Sequence, residues 1–193
     1  MEKAWYRSLG AASLPLVLAL SGCAAASPSA EDGSFSPAGS NASTPTTAPT
    51  AVATTPPLTK AEADKTVLSR YRAYQKAYET AYATGDPDPL AEVTTDPLLS
   101  IITEDVQATF KDRKGAVWRF HNLLNPRIGS RSADLSSIVV VDCVRTLGAY
   151  KFSAKTGKRI GGTDKSSTYT YQVRLQYDGT TWKAAEARKG KRC

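Results

Sequence analysis

Residues 24–57 restrict the part of this chain that can form a folded core. All 34 of these residues are Ala, Ser, Thr, Pro or Gly except Glu31, Asp32, Phe35, Asn41 and Val52. A segment of this composition buries too little apolar surface to offset the chain entropy that folding removes. We therefore expect a disordered linker over 23–57, spanning roughly 30 to 35 Å as a coil. One domain of ordinary size follows it at 58–193.

The segment before the linker has the pattern of a signal peptide. Lys3 and Arg7 precede an apolar run over 9–20, and its 12 residues fall short of the roughly 20 that a transmembrane helix requires. The run ends in Leu20-Ser21-Gly22-Cys23, which resembles the lipid-attachment site of bacterial lipoproteins. This resemblance implies that the signal peptide 1–22 is removed and that Cys23 carries a diacylglyceryl thioether. The alternative is ordinary secretory cleavage at Ala24-Ala25-Ala26.

The first helix of the domain is predicted from its cap and its aromatic stripe. Thr59 and Glu62 form a capping-box pattern, and Gly85 is a typical C-cap after a helix that ends near Thr84. Apolar positions recur at helical spacing in between, at Val67, Tyr71, Tyr74, Tyr78 and Tyr82. We interpret this stripe as a core face, and its alternative role is to line a ligand cavity.

Two Asp-Pro pairs indicate two further helices. Asp88-Pro89 predicts a short helix over 89–94, and Asp96-Pro97 predicts a longer one over 97–114. We expect Gly115 to close the longer helix. Its predicted inner stripe is Leu99, Ile102, Val106 and Phe110.

The remaining residues predict four strands, at 116–124, 136–145, 169–177 and 180–188. Asp178-Gly179 is typical of a two-residue hairpin turn between the last two. Counting back from that turn, we expect the cross-strand pairs Leu175 with Trp182, Val173 with Ala184 and Tyr171 with Glu186.

This element order predicts an α+β fold in which three N-terminal helices pack on a bent four-stranded antiparallel sheet. The chain resembles the actinobacterial secreted lipoproteins that have a nuclear transport factor 2-like (SnoaL-like) domain. The features that carry this resemblance are the element order, the Tyr-rich first helix, the strand at 139–143, the Thr156-Gly157 turn, the Gly179-Thr180-Thr181-Trp182 hairpin and the terminal Cys193. The resemblance implies a cone-shaped domain with a pocket at its mouth and assigns no catalytic residue.

The predicted register gives a candidate pocket. It places the acidic Glu186 on an otherwise apolar face beside Tyr171, with Tyr169 and Trp182 close by. Such a pocket, with Asp142 as a further candidate, could support acid–base chemistry. The alternative is that Glu186 reaches the rim of the sheet near Arg188.

Known catalytic and metal-binding motifs are missing from the sequence. His121 is the single histidine, and neither a Gly-x-Ser-x-Gly nor a Cys-x-x-Cys motif occurs. We therefore predict no catalytic residue, no metal site and no cofactor.

The positions of the cysteines and of the basic residues together predict an anion-binding surface. With Cys23 attached to lipid, Cys143 and Cys193 are the remaining thiols, and an oxidising exported location favours a disulfide between them. That bond would place Lys189, Lys191 and Arg192 next to Arg145 as a candidate anion-binding patch.

Basic residues are concentrated towards the C-terminus. Residues 143–193 contain 12 Lys or Arg and 3 Asp or Glu, a net charge of +9, whereas 1–142 carry −2. Lys151, Lys155, Lys158, Arg159 and Lys165 are assigned to a long loop. We expect an anionic envelope polymer or lipid as partner, with an envelope protein or merely solvated loops as alternatives. Nucleic acid is disfavoured, because the location is exported and no aromatic residues interleave these cations.

The sequence therefore predicts a lipid-anchored protein on the extracytoplasmic face of the cell membrane, attached through its N-terminal lipid. Its domain is interpreted as a non-enzymatic binding or scaffold domain facing the cell wall. The alternative function is a small-ligand-binding or acid–base enzyme that uses a cone pocket around Glu186 and Tyr171.

Replacement of Cys23 tests the predicted anchor. In Cys23→Ala the attachment sulfur is lost, so the protein should move from the membrane fraction to the medium. Mass spectrometry of the wild-type N-terminus should find a lipid-modified cysteine. An unmodified wild-type protein that starts near Ser27 would contradict the prediction.

Overall fold

The structure is a computed structural model that describes residues 58–112 and 115–193. The predicted signal peptide, Cys23 and the predicted linker lie outside these residues. The described elements are α1 (Lys60–Thr84), a 3₁₀ helix (Asp88–Glu92), α2 (Leu98–Asp112), β1 (Ala116–Leu123), β2 (Arg127–Arg131), β3 (Ser137–Ser153), β4 (Arg159–Thr163), β5 (Ser167–Tyr177) and β6 (Trp182–Lys189). Neither α-helix in this part of the chain is long and apolar enough to cross a membrane.

The predicted N-terminal capping box and C-cap glycine of α1 are both confirmed. The Thr59 amide donates to the Glu62 carboxylate over 2.9 Å, and the Glu62 amide donates to the Thr59 hydroxyl. Gly85 ends the helix with a left-handed φ of +77°, and a Cβ there would collide with the Phe110 ring. The stripe on α1 is buried in the core, as predicted, at Val67, Tyr71, Tyr74, Tyr78 and Tyr82.

The two Asp-Pro segments differ from each other. The first forms a 3₁₀ helix that the Asp88 side chain does not cap. The second precedes α2, where Asp96 accepts hydrogen bonds from the amide and hydroxyl of Ser100. In α2 the buried stripe is Leu98, Ile102 and Val106, whereas Phe110 is 37% exposed where it lies against Gly85. Leu99 is partly buried against the core.

The sheet has six strands among the described residues, two more than predicted. The four predicted strands form the path β1-β3-β5-β6, and β2 and β4 also pair with β3. The sequence did not indicate β2 and β4 because both are short and contain glycine, Gly129 in one and Gly161-Gly162 in the other, which weakens strand propensity. Lys151 therefore lies in β3 and Arg159 in β4, not in a loop.

The predicted register of the β5–β6 hairpin is wrong. Tyr177 pairs with Trp182 across a four-residue loop, 178–181, whose Asp178 carboxylate accepts from the Thr180 and Thr181 amides. A register shift next to Leu175 adds to the difference. The observed pairs are Leu175 with Ala184, Arg174 with Glu186, Val173 with Ala187 and Tyr171 with Lys189.

The curled sheet and its helices form the predicted cone-like α+β half-barrel. Register shifts interrupt the pairing of β3 with β1, β2 and β4, and such bulges bend strands. One face of the sheet, called the inner face, packs against α1 and α2. Its central core residues are Ile138, Val140, Val144, Val173 and Leu175. The opposite face is called the outer face.

The predicted disulfide between Cys143 and Cys193 is confirmed. The Cα atoms lie 6.0 Å apart, and Cys143 is opposite Thr170 on the outer face. The tail also joins β5 through its backbone, since the Thr170 amide donates to the Lys191 carbonyl over 2.8 Å. The C-terminal residues are therefore held against the sheet.

Removal of this disulfide should destabilise the domain. It closes a loop with a sequence separation of 50, so Cys143→Ala with Cys193→Ala should lower the free energy of unfolding by about 4 kcal/mol in the chain-entropy model. Urea denaturation with and without reductant measures this. The wild type should lose stability on reduction and the double variant should not. Equal stability of oxidised wild type and variant would contradict the prediction.

Candidate functional site

A buried carboxylate organises the polar part of the inner face. Asp142 is 1% exposed on β3. One of its oxygens accepts a hydrogen bond from the Tyr71 hydroxyl over 2.9 Å, and the other accepts from the Asn125 amide over 2.7 Å. A buried carboxylate requires such donors, because burial without them costs several kcal/mol. Helix α1 supplies the first donor and the loop after β1 supplies the second.

The hydrogen bonds continue from Tyr71 along α1 and across to the sheet. The side-chain amide of Gln75 donates to the Tyr71 hydroxyl over 3.2 Å, and the side-chain amide of Asn122 donates to Gln75 Oε1 over 3.3 Å. Thr146 then donates to Asn122 over 2.7 Å. Side chains of α1, β1 and β3 thus bond to one another inside the domain.

The tyrosines of the inner face are neutral groups at physiological pH. Burial, followed by the neighbouring Asp142 charge, raises the pKa of Tyr71. Burial also raises the pKa of Tyr74 and Tyr171, whose hydroxyls are 2.9 Å apart. These hydroxyls therefore stay protonated and act as hydrogen-bonding partners. Within 58–112 and 115–193, no group of three His, Cys, Asp or Glu residues could hold a metal ion.

The structure brings together only part of the predicted pocket. Tyr169 and Tyr171 lie on the inner face with ring centres 6.1 Å apart, near Asp142. Trp182 is 1% exposed and packs against Tyr177 in the core. Glu186 is on the outer face, where it pairs with Arg174. The predicted grouping of Glu186 with Tyr171 is therefore wrong, because it depended on the incorrect hairpin register.

Lys189 takes the place that Glu186 was expected to occupy. It is opposite Tyr171 on β6, and its Nζ lies 4.6 Å from the centre of the Tyr169 ring. Burial lowers the pKa of this lysine. Lys189 belongs to the expected tail patch, but the register of the hairpin places it on the inner face instead.

The outer face carries a row of residues in direct cross-strand register. Arg127 of β2 is opposite Val141, Val141 is opposite Gln172, and Gln172 is opposite Arg188 of β6. Three strand spacings put the two arginines about 14 Å apart. The expected patch residues Arg145, Lys191 and Arg192 are also exposed. We call the following five residues the outer basic face: Arg127, Arg145, Arg188, Lys191 and Arg192.

The outer basic face has no acidic partner among the described residues. The ion pairs among the described residues engage other cations, and none of them involves a member of the outer basic face. Neither Arg127 nor Arg188 could be assigned to this face from the sequence, because only the register of β2 and β6 shows that the two residues share it. Lys191 and Arg192 are held there by the disulfide and the backbone bond to Thr170.

A second set of cations lies on aromatic rings. Arg159 is 4.1 Å from the Tyr150 ring centre, Arg119 is 4.6 Å from that of Phe152, and the Lys151 Nζ is 5.0 Å from that of Trp118. Lys151 and Arg159 belong to the C-terminal cations, so the expectation that no aromatic residues interleave them is wrong.

Comparison with known proteins agrees with the fold. No protein family model matches the chain, and no curated protein matches it. Among solved structures, the intermembrane space region of the chloroplast protein ARC6 has a TM-score of 0.55 at 20% identity, over 66% of this chain and 96% of that chain. Identity at this level shows similarity of fold alone.

Two other solved structures are more distant. A putative aromatic ring hydroxylase from Novosphingobium aromaticivorans has a TM-score of 0.48 at 14% identity, covering 69% of this chain and 92% of that chain. A putative scytalone dehydratase from the same organism has 0.43 at 16%, covering 67% and 88%.

Two single substitutions test the importance of the Asp142 network. Tyr71→Phe removes a hydrogen bond to a buried charge and should lower the free energy of unfolding by about 1.5 to 3 kcal/mol. Tyr74→Phe is the matched control, because it removes a bond between two neutral hydroxyls and should cost about 1 kcal/mol. Urea denaturation measures both. An equal or smaller loss in Tyr71→Phe would show that the carboxylate does not depend on this donor.

Proposed function

We propose that this protein is a lipid-anchored, extracytoplasmic lipoprotein whose domain binds an anionic cell-envelope polymer without catalysing a reaction. The observation that carries this proposal is the outer basic face, five exposed cations without an acidic partner among the described residues. The polar side chains of the Asp142 network, in contrast, are bonded to one another.

The chemistry of the outer basic face favours a polymer over a single small anion. Each exposed cation contributes weakly, since charges at the surface are screened over about 8 to 10 Å at physiological salt. A chain of repeated anionic groups engages several of them at once. Thr168, Thr170 and Gln172 point to the same face between the cations and offer hydrogen bonds to hydroxyl groups of such a chain.

The cross-strand row between Arg127 and Arg188 favours a polymer over a membrane surface. Binding to lipid headgroups is usually strengthened by apolar side chains that enter the acyl boundary. The residues that separate Arg127 from Arg188 are Val141, which is partly buried, and Gln172. Anionic lipid and an envelope protein are therefore the competing partners in the experiment below.

The predicted anchor makes weak binding effective. A lipid at Cys23, joined to the domain by the predicted linker 23–57, would keep the domain within reach of envelope polymers. Attachment of this kind replaces bulk concentration by an effective concentration in the millimolar range for short linkers. Millimolar affinity would then be enough to hold the polymer.

A second candidate function is a small-ligand-binding or acid–base enzyme. The observation in its favour is that Asp142, Tyr71, Tyr169 and Lys189 share the inner face. This candidate predicts that Lys189→Met abolishes binding of a small carbonyl compound while leaving the fold intact by circular dichroism. Unchanged ligand response in that variant, or no ligand response in the wild type, counts against it.

Charge removal tests the main proposal. The triple variant Arg145→Gln, Lys191→Gln and Arg192→Gln should bind poly(glycerol phosphate) about tenfold more weakly than wild type at low salt, because it loses three weak ionic contacts. The matched control is Lys155→Gln, Lys158→Gln and Lys165→Gln, which removes equal charge from exposed residues elsewhere. Fluorescence anisotropy measures both.

The control variant should bind the polymer within about twofold of wild type, and wild-type binding should fall steeply as salt rises. Equal losses in the two triple variants would show that net charge, not the outer basic face, causes binding. Stronger binding to anionic vesicles than to the polymer would assign the face to lipid.

A further inference from the structure

We propose that a recess beside the disulfide is a phosphate-binding subsite, with Arg127 as its main ligand. This inference deepens the proposed function and rests on it, because the phosphate would be one repeat of the polymer. The recess encloses about 160 Å³ on the sheet. Val141 and the bridged Cys143 and Cys193 form part of its lining, together with three hydrogen-bond donors, Asn125, Arg127 and Thr170.

The three donors have no partner for their side chains among the described residues. Among these residues, no hydrogen bond or ion pair engages the Arg127 guanidinium, the side-chain amide of Asn125 or the Thr170 hydroxyl. Their backbones, however, are fixed. The backbone N–H of Asn125 donates to the Asp142 carboxylate, and that of Thr170 donates to the Lys191 carbonyl. Arg127 is paired with Val141 in the sheet. Unsatisfied donors on an ordered backbone are available for an anion.

No free carboxylate side chain competes for these donors inside the recess. Asp142 is part of the lining, but its carboxylate lies on the inner face, where it accepts hydrogen bonds from the Tyr71 hydroxyl and the Asn125 backbone amide. No ion pair among the described residues engages the Arg127 guanidinium.

The donor set matches phosphate better than carboxylate. The planar guanidinium of Arg127 binds two oxygens of one group side by side. The two oxygens of a carboxylate would have to serve all three donors, whereas a phosphodiester adds two ester oxygens, which are weaker acceptors, for Asn125 and Thr170. The volume corresponds to roughly five water molecules, enough for one phosphate group. Arg188, about 14 Å along the same cross-strand row, is placed for another part of the chain.

The test separates this subsite from general attraction to polyanions. Arg127→Lys keeps the charge but loses the planar pair of donors, and Arg72→Lys, at an exposed position of α1 outside the outer basic face, is the matched control. We expect Arg127→Lys to weaken binding of poly(glycerol phosphate) about fivefold, and Arg72→Lys to change it less than twofold. Wild type should prefer poly(glycerol phosphate) to polyglutamate of equal charge.

Titration with inorganic phosphate provides an independent readout. In nuclear magnetic resonance spectra of the wild type, the Arg127 Nε–H signal should shift and saturate, with Arg188 much less affected. Uniform, unsaturated shifts of all exposed arginines would overturn the subsite, as would equal polymer binding by wild type and Arg127→Lys. If both polymers bind equally well and Arg127→Lys behaves as wild type, the polyanion-binding function stands without the subsite. If phosphate saturates Arg127 but no polymer binds, the subsite stands and the proposed function fails.

Discussion

The burial of the Asp142 carboxylate is the constraint on which the two faces of the sheet depend. Burial of a carboxylate without hydrogen-bond donors costs several kcal/mol, and Asp142, which is 1% exposed, takes its donors from two separate elements. Tyr71 ties α1 to the middle of β3, and the Asn125 amide ties the loop after β1 to the same residue. The second bond also fixes the start of β2, two residues further on, where Arg127 stands on the outer face.

The two faces consequently have different chemistry. On the inner face, Gln75, Asn122 and Thr146 extend the bonds of Tyr71, and burial keeps the tyrosines protonated. On the outer face, Glu186 is paired with Arg174, whereas the cations of the outer basic face have no ion pair among the described residues, and the disulfide holds Lys191 and Arg192 in place at the C-terminus. Around Asp142 the side chains of the inner face are thus hydrogen-bonded to one another, while the outer basic face lies on the other side of the sheet.

The sequence predicted those features that depend on local chemistry. The capping box, the C-cap glycine, the tyrosine stripe and the disulfide all follow from residue type and spacing. The β5–β6 register could not be predicted, because the Asp178 carboxylate builds a four-residue loop where Asp-Gly favours a two-residue turn. That difference exchanged Glu186 for Lys189 beside Tyr171. Arg127 was missed because β2 has no alternating pattern, and only long-range pairing with β3 shows which face it shares.

The footprint of a bound polymer on the wild-type domain tests the central claim most directly. Backbone nuclear magnetic resonance spectra would be recorded during titration with poly(glycerol phosphate) at low salt. The account predicts that shifts concentrate at outer-face residues such as Thr170, Gln172 and Arg188, with the inner-face signals of Tyr71 and Tyr171 unchanged. Shifts centred on Tyr169, Tyr171 and Lys189 would contradict it, because they would place the binding site inside the cone.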